Sequence, residues 1–162
     1  MKRLWILIGV LASALAAGDA LAQHQAPNDQ PVRAEEPAAP TGEMALGSVR
    51  IPRAVTADGK PLPAGTYQVR LTAQTAKPEA VGTSEALARW VEFVQGKTVR
   101  GREVVSIVPQ AEVKMVVKDA PPASGASKVQ MLRGNDYLRV WINRGGNHFL
   151  IHLPVAAPAA AP

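Results

Sequence analysis

The sequence predicts an all-β fold, either an antiparallel β-sandwich or a partly open barrel of seven to eight strands. Segments of alternating apolar and polar residues recur along the chain, and turns rich in glycine and proline separate them at the spacing typical of such folds. The last of these segments form a three-strand meander over residues 128–153, and its two turns independently place the same apolar residues on one face.

Length and composition limit the class of protein. The chain has 162 residues and no cysteine, which excludes a disulfide framework, a cysteine-based zinc site and a thiol nucleophile. Charged residues make up 19% of the chain and aromatic residues 4%, a composition that argues against a coiled coil and against a polyampholyte tail. The length suits one domain, with two as the upper limit.

The first 22 residues are predicted to be an export signal. Residues 1–3 are a short basic start, residues 4–17 are apolar, and residues 20–22 have the small-x-small form that signal peptidase cleaves before Gln23. Asp19 ends the apolar run below the roughly 20 residues needed to cross a bilayer, so no stable membrane span is expected after processing. The predicted location is periplasmic or secreted. Two alternatives stay open, namely cleavage at an earlier site and an N-terminal segment that is not cleaved and acts as an anchor.

The predicted β-domain, residues 46–154, lies between two segments without periodicity. Residues 23–45 are rich in Pro, Ala, Gln and Glu with a net charge of −3, and such a composition predicts a disordered spacer. Residues 155–162 form a Pro/Ala tail. The domain has 15 Lys and Arg against 8 Asp and Glu, a net charge of +7. This charge favours anionic partners such as phospholipid head groups or acidic glycans, although dispersed charge that only aids solubility stays open.

The first strands of the domain are predicted from turns and alternation. A strand over residues 47–51 ends at Pro52, and Asp58-Gly59 predicts a turn because these residue types tolerate positive φ. Residues 66–72 alternate strictly, which predicts a strand with one buried face. That face consists of Tyr67, Val69 and Leu71.

The middle of the domain predicts a hairpin and one further strand. Residues 87–95 and 98–108 flank the turn at Gly96, with the register left open because the loop length is not fixed by the sequence. Trp90, within the first of these segments, is interpreted as a core residue. Residues 112–118 are predicted as a strand, since β-branched residues favour strand over the competing helix. Its inward residues are Val113, Met115 and Val117.

The meander is the most strongly predicted element. A turn at Gly145-Gly146 pairs Ile142 with Phe149, and a turn at Gly134-Asn135 pairs Met131 with Leu138. A one-residue slip would move every side chain to the other face, so the agreement of the two turns fixes the register. The resulting apolar face consists of Val129, Met131, Leu138, Val140, Ile142, Phe149, Ile151 and Leu153.

The opposite face of the meander holds the candidate ligand-binding residues, which are Lys128, Tyr137, Arg139, Trp141 and His152. We expect Trp141 to stack on a sugar ring or another flat group and Tyr137 to extend this platform, while the cations and His152 pair with acidic groups. The alternative is that a second sheet or a loop covers this face. In that case Trp141 and its neighbour Leu150 are ordinary core residues.

No catalytic site, metal site or cofactor is predicted. His148 and His152 lie four residues apart on one strand, roughly 13 Å, which is too far to hold one metal ion together. The sequence contains no G-x-S-x-G elbow, no phosphate-binding glycine loop and no identifiable carboxylate pair. An enzyme with an unrecognised site stays open. Nucleic acid would suit the positive charge, but the export signal argues against it.

Residues 61–70, Pro-Leu-Pro-Ala-Gly-Thr-Tyr-Gln-Val-Arg, resemble a phrase found in extracellular bacterial β-sandwich modules of the carboxypeptidase-regulatory-like and Ig-like kinds. This resemblance implies a packing role for Tyr67 and nothing further. The sequence therefore predicts an exported, non-catalytic binding or structural module of the cell envelope that contacts glycans or anionic surface polymers. The alternative is a module that binds a protein through a sheet edge or through the aromatic face.

Overall fold

The computed structural model describes residues 39–77 and 87–156. The predicted export signal, residues 23–38 of the predicted spacer and the tail from residue 157 lie outside this part. Within it the elements in chain order are β1 Met44–Ile51, β2 Val55–Ala57, β3 Lys60–Leu62, β4 Gly65–Thr75, β5 Ala88–Gln95, β6 Thr98–Pro109, α1 Val113–Val116, β7 Ser127–Met131, β8 Tyr137–Arg144 and β9 Asn147–Pro154. In these ranges no helix is long and apolar enough to cross a membrane.

Seven strands form one antiparallel sheet that curls into a nearly closed barrel, which confirms the predicted all-β class. The strand order is β1-β4-β5-β6-β9-β8-β7, and β2 and β3 form a separate two-stranded hairpin. The two edge strands, β1 and β7, face each other across a seam, where the Ser127 hydroxyl donates to the Ser48 carbonyl over 3.4 Å. No ladder joins these two strands in the part of the chain that the structure describes.

The meander β7-β8-β9 has the predicted register. Ile142 pairs with Phe149 and Met131 pairs with Leu138. Gly145 and Gly146 both have positive φ, 60° and 76°, as a tight two-residue turn between twisted strands requires. Because the pleat alternates, this register turns one whole face of the meander into the barrel. That face contributes a large share of the buried core.

The interior of the barrel is filled by side chains from the sheet and from the β2–β3 hairpin. Tyr67 and Phe93 meet edge to face with ring centroids 6.1 Å apart. The hairpin inserts Val55, Ala57 and Leu62, all fully buried. It approaches β6 at Gly101, where a Cβ atom would lie only 3.1 Å from the Cβ of Ala57. The lack of a side chain at this position therefore lets the hairpin pack closely.

The end of the predicted spacer belongs to the folded part. β1 begins at Met44, two residues before the predicted domain boundary. Arg89 is buried, and its guanidinium donates to the carbonyls of Pro40, Gly42 and Thr72 at distances of 2.8–3.2 Å. These bonds fasten the chain before β1 to β4 and β5.

The connection between β6 and β7 crosses the outside of the sheet. β6 ends beside β9, whereas β7 lies at the far edge beyond β8, so residues 110–126 must pass over the outer faces of β9 and β8. The helix α1 lies within this crossover. The strand order therefore brings a covering segment onto the face that carries the candidate ligand-binding residues.

The predicted strand over residues 112–118 is wrong. The segment forms the one-turn helix α1, with Val113 and Val117 buried as predicted but with Met115 78% exposed. Both edges of β6 are already occupied, by β5 and β9, so the residues that follow β6 cannot pair beside it and their backbone groups need other partners. The turn satisfies them internally, since the Val117 N–H donates to the Val113 carbonyl over 2.8 Å.

Candidate functional site

Trp141 is a core residue and not a stacking platform. Its side chain is fully buried beneath the crossover, where it packs with four apolar residues, Val108, Val113, Val117 and Leu150. The prediction that Trp141 contacts a ligand is therefore corrected, and the alternative of a covered face holds for Trp141 and Leu150. The physical reason is the strand order, which sends the β6–β7 connection across this face.

A hydrogen-bonded chain leads from the buried Trp141 to the surface. The indole Nε1–H donates to Nδ1 of His148 over 3.0 Å, and Nε2 of His148 lies 2.7 Å from Oε1 of Gln110. Because Nδ1 accepts, the neutral ring carries its proton on Nε2 and donates it to Gln110. Burial lowers the pKa of His148. This histidine is therefore a structural group that locks the start of the crossover onto β8 and β9.

The next row of the same sheet face is polar and reaches the surface. Gln130, Arg139 and His152 lie side by side on β7, β8 and β9, as the predicted register requires. The Arg139 Nε–H donates to Nε2 of His152 over 3.2 Å. Burial, and then the positive charge of Arg139, lower the pKa of His152. His152 therefore stays neutral and orients the guanidinium. We call these three residues the polar row.

A carboxylate of the chain itself lies against the polar row. The amide of Gln130 donates to Oδ2 of Asp119 over 2.8 Å, and Nη1 of Arg139 lies 3.6 Å from the same oxygen. The Arg139 side chain is 16% exposed, whereas that of Asp119 is 55% exposed. Gln130 and Arg139 thus hold a carboxylate that the chain itself supplies. Sequence reasoning missed Asp119 because it lies in a loop with no periodic pattern.

The two remaining candidate residues flank the polar row. Lys128 is exposed on β7 and pairs with Trp141 in register, one row away. Tyr137 is 47% exposed at the start of β8, two residues before Arg139 and on the same face. Lys128, Tyr137, Arg139 and His152 thus share the outer face of the meander with Trp141. Lys128 and Tyr137 are exposed, Arg139 and His152 are partly buried, and Trp141 is fully buried.

Trp90 lies on the outer face of β5 and is half-buried, contrary to its interpretation as core. The guanidinium carbon of Arg102 lies 4.3 Å from its ring centroid, a cation–π contact, while Nε of the same arginine donates to Asp58 over 2.9 Å. Because Arg102 already occupies the ring and pairs with a carboxylate, this cluster is internally satisfied and serves to brace β5, β6 and the β2–β3 turn.

The described residues give no support to a metal centre. In residues 39–77 and 87–156, no group of three His, Asp or Glu side chains is placed to hold a metal ion. Both histidines of β9 are engaged elsewhere, His148 with Trp141 and His152 with Arg139.

Comparison with known proteins adds no relative. No family model, no curated protein and no solved structure matches the chain.

Proposed function

We propose that this protein is an exported, non-catalytic binding module of the cell envelope whose polar row holds the acidic groups of an envelope polymer, above all a carboxylate-bearing glycan. One observation carries the proposal: the carboxylate of Asp119 lies against Gln130 and Arg139. The export signal predicted over residues 1–22 supports the location.

The chemistry of Arg139 suits an acidic ligand. Its guanidinium is mostly buried, and a charge-assisted hydrogen bond in such a setting is stronger than one in water. His152 occupies only the Nε–H, and Nη1 lies at a long 3.6 Å from Asp119. The terminal nitrogens therefore retain donor capacity for the carboxylate of a ligand that approaches from solvent.

The surroundings of Arg139 favour a glycan over nucleic acid. Lys128 adds a second cation to the same surface, and the half-exposed ring of Tyr137 offers one face for a sugar. Single-stranded nucleic acid is held by several exposed aromatic rings in succession, and the burial of Trp141 removes the second ring from this face. The net charge of +7 over residues 46–154 attracts a polyanion at long range.

Binding to polygalacturonate, with neutral dextran as the reference polymer, tests the proposal by titration at low ionic strength. We expect binding to polygalacturonate alone and a loss of about tenfold or more in affinity for Arg139→Gln, since a hydrogen bond to a charged group contributes about 1.5–3 kcal/mol. Arg144→Gln is the matched control because Arg144 is exposed on the same strand. Equal binding to both polymers, or equal losses in both variants, would contradict the proposal.

A protein partner is the second candidate, and the seam favours it. β1 and β7 each present one edge without a ladder partner among the described strands, and such edges accept an added strand. A second copy of the chain is the simplest partner to test. Sedimentation velocity over a range of concentrations would show a monomer–dimer equilibrium if strand addition joins two copies, and a constant monomer would count against it.

A further inference from the structure

The crossover presents an exposed apolar tip with lysines on either side. Met115 is 78% exposed and Val116 is 58% exposed, the two highest values among the large hydrophobic residues in the described ranges. Lys114 and Lys118 are exposed next to them. We call residues 114–118 the crossover tip.

The crossover tip is held outward by its base. Val113 and Val117, on either side of Met115 and Val116, are buried against Trp141 and Leu150. The Val117 N–H closes the turn on the Val113 carbonyl over 2.8 Å. Because both anchors are fixed in this apolar cluster, the side chains of Met115 and Val116 between them cannot turn inward. Their exposure follows from the fold itself.

Two exposed lysines accompany the apolar side chains of the tip. Lys114 and Lys118 lie on the tip, and Lys128 lies on the strand row that the crossover covers. Asp119, which directly follows Lys118, is 55% exposed, and its carboxylate is engaged by Gln130 and Arg139. Glu112, before the helix, is half-buried. An exposed apolar tip that carries two lysines, with the adjacent aspartate already engaged, matches the boundary between acyl chains and anionic head groups.

We propose that the crossover tip docks this protein on the surface of an anionic phospholipid membrane, with Met115 and Val116 entering the acyl boundary and the lysines contacting lipid phosphates. A lipid surface fits better than a protein partner for two reasons. Two apolar side chains are far fewer than a stable protein interface needs. Lysine is depleted from protein interfaces, whereas each lysine near an anionic membrane strengthens binding by about fivefold.

This inference is independent of the proposed function. The crossover tip uses residues 114–118 and a lipid surface, whereas the proposed glycan site uses the polar row. A variant of the tip leaves Arg139, His152 and Gln130 in place, so vesicle binding and polymer binding can fail separately.

Vesicle sedimentation tests the proposal with the chain from Gln23, which contains every described strand. Phosphatidylcholine vesicles are compared with vesicles that also contain phosphatidylglycerol. We expect binding to the anionic vesicles only, and a loss of about tenfold or more for Val116→Asp because a buried valine contributes about 1.5 kcal/mol or more and the new charge repels the surface. Val99→Asp is the matched control, since Val99 is an exposed valine on β6 and is expected to change binding by less than twofold.

A site-specific probe keeps the test decisive if Val116→Asp affects folding. The chain has no cysteine, so Met115→Cys carries a single environment-sensitive dye, with Val99→Cys as the labelled control. We expect a blue shift on anionic vesicles for the dye at position 115 alone. Equal shifts at both positions, no shift at either, equal binding to neutral vesicles, or a shift caused by protein concentration without lipid would each overturn the proposal.

Discussion

The indole of Trp141 and the imidazole of His148 form a fully buried pair, with Nε1–H donating to Nδ1 over 3.0 Å and ring centroids 5.7 Å apart. The bond joins β8 to β9. Through the other imidazole nitrogen it also reaches Gln110, the first residue of the crossover. Three segments thus share one hydrogen-bonded chain, and it requires a neutral histidine.

Stability is expected to fall in mild acid because His148 and His152 are held neutral in the fold. Burial lowers both pKa values below the ordinary 6.5, with Arg139 adding to the effect on His152. Above about pH 6.5 the two histidines are neutral in both the folded and the unfolded chain, so they do not lower the free energy of unfolding. Below it the unfolded chain takes up protons first, so stability falls by up to about 1.4 kcal/mol per pH unit for each histidine until its folded pKa is reached.

Urea unfolding at a series of pH values between 5 and 8 measures this loss. The double variant His148→Gln, His152→Gln is the control, because glutamine keeps a polar group and cannot titrate. Its unfolding free energy should vary less with pH in that window. If the parent chain and the double variant show the same slope, the neutral state of the two histidines is not what sets the pH dependence.

Trp141→Phe is expected to destabilise the fold by about 2–4 kcal/mol. The change leaves Nδ1 of the buried His148 without a donor, at a cost of about 1–3 kcal/mol, and leaves space in the cluster beneath α1. Trp90→Phe should cost less, because Trp90 is half-buried on the outer face of β5. Thermal or urea unfolding of the two variants gives the comparison.

Acrylamide quenching provides the matching measurement on the folded chain. In the chain from Gln23, Trp90→Phe leaves Trp141 as the remaining tryptophan, and we expect its emission to lie at short wavelength and to resist quenching. Trp141→Phe leaves Trp90, which we expect acrylamide to quench. Efficient quenching of Trp141 in the folded chain would contradict its burial under the crossover.

Asp119→Asn is expected to strengthen polygalacturonate binding by severalfold. The Asp119 carboxylate competes with an external carboxylate for Gln130 and Arg139, and a neutral amide competes less well because it gives up the charge-assisted contact. Asp136→Asn is the control, since Asp136 is an exposed aspartate in the β7–β8 connection and removes the same charge elsewhere.

Titration of both aspartate variants at one ionic strength separates local competition from net charge. An equal gain in the two variants would assign the effect to overall charge. A weaker binding of Asp119→Asn than of the parent chain would mean that Asp119 supports the ligand instead of competing with it.

The strands near tight turns could be predicted from sequence because local signals constrain each other there. Gly145-Gly146 sets one register, alternation over β8 and β9 sets the same one, and the structure confirms it. The β5–β6 hairpin shows the limit of this approach. Phe93 pairs with Gly101 while Val94 pairs with Val99, so Arg100 is an extra residue that no alternation reveals.

The cover over Trp141 could not be predicted locally because it depends on strand order. Whether residues 110–126 cross the meander follows from β6 pairing with β9, a contact between segments about 40 residues apart. The same contact decides that Asp119 meets Arg139. The sequence therefore gives the register that aligns Gln130, Arg139 and His152, but it gives neither the burial of Trp141 nor the contact with Asp119.

We expect the β6–β9 pairing to form late in the folding of this chain. Strands β5 and β6 are joined by a short hairpin connection, as are strands β7 to β9, so each set can form from local contacts. Their union must close a loop of about 40 residues, which is a slower event. The crossover reaches its position over Trp141 only after that closure. In a refolding experiment, the change in Trp141 emission should therefore lag behind the growth of strand structure. Trp141 thus reports the time at which the barrel is complete.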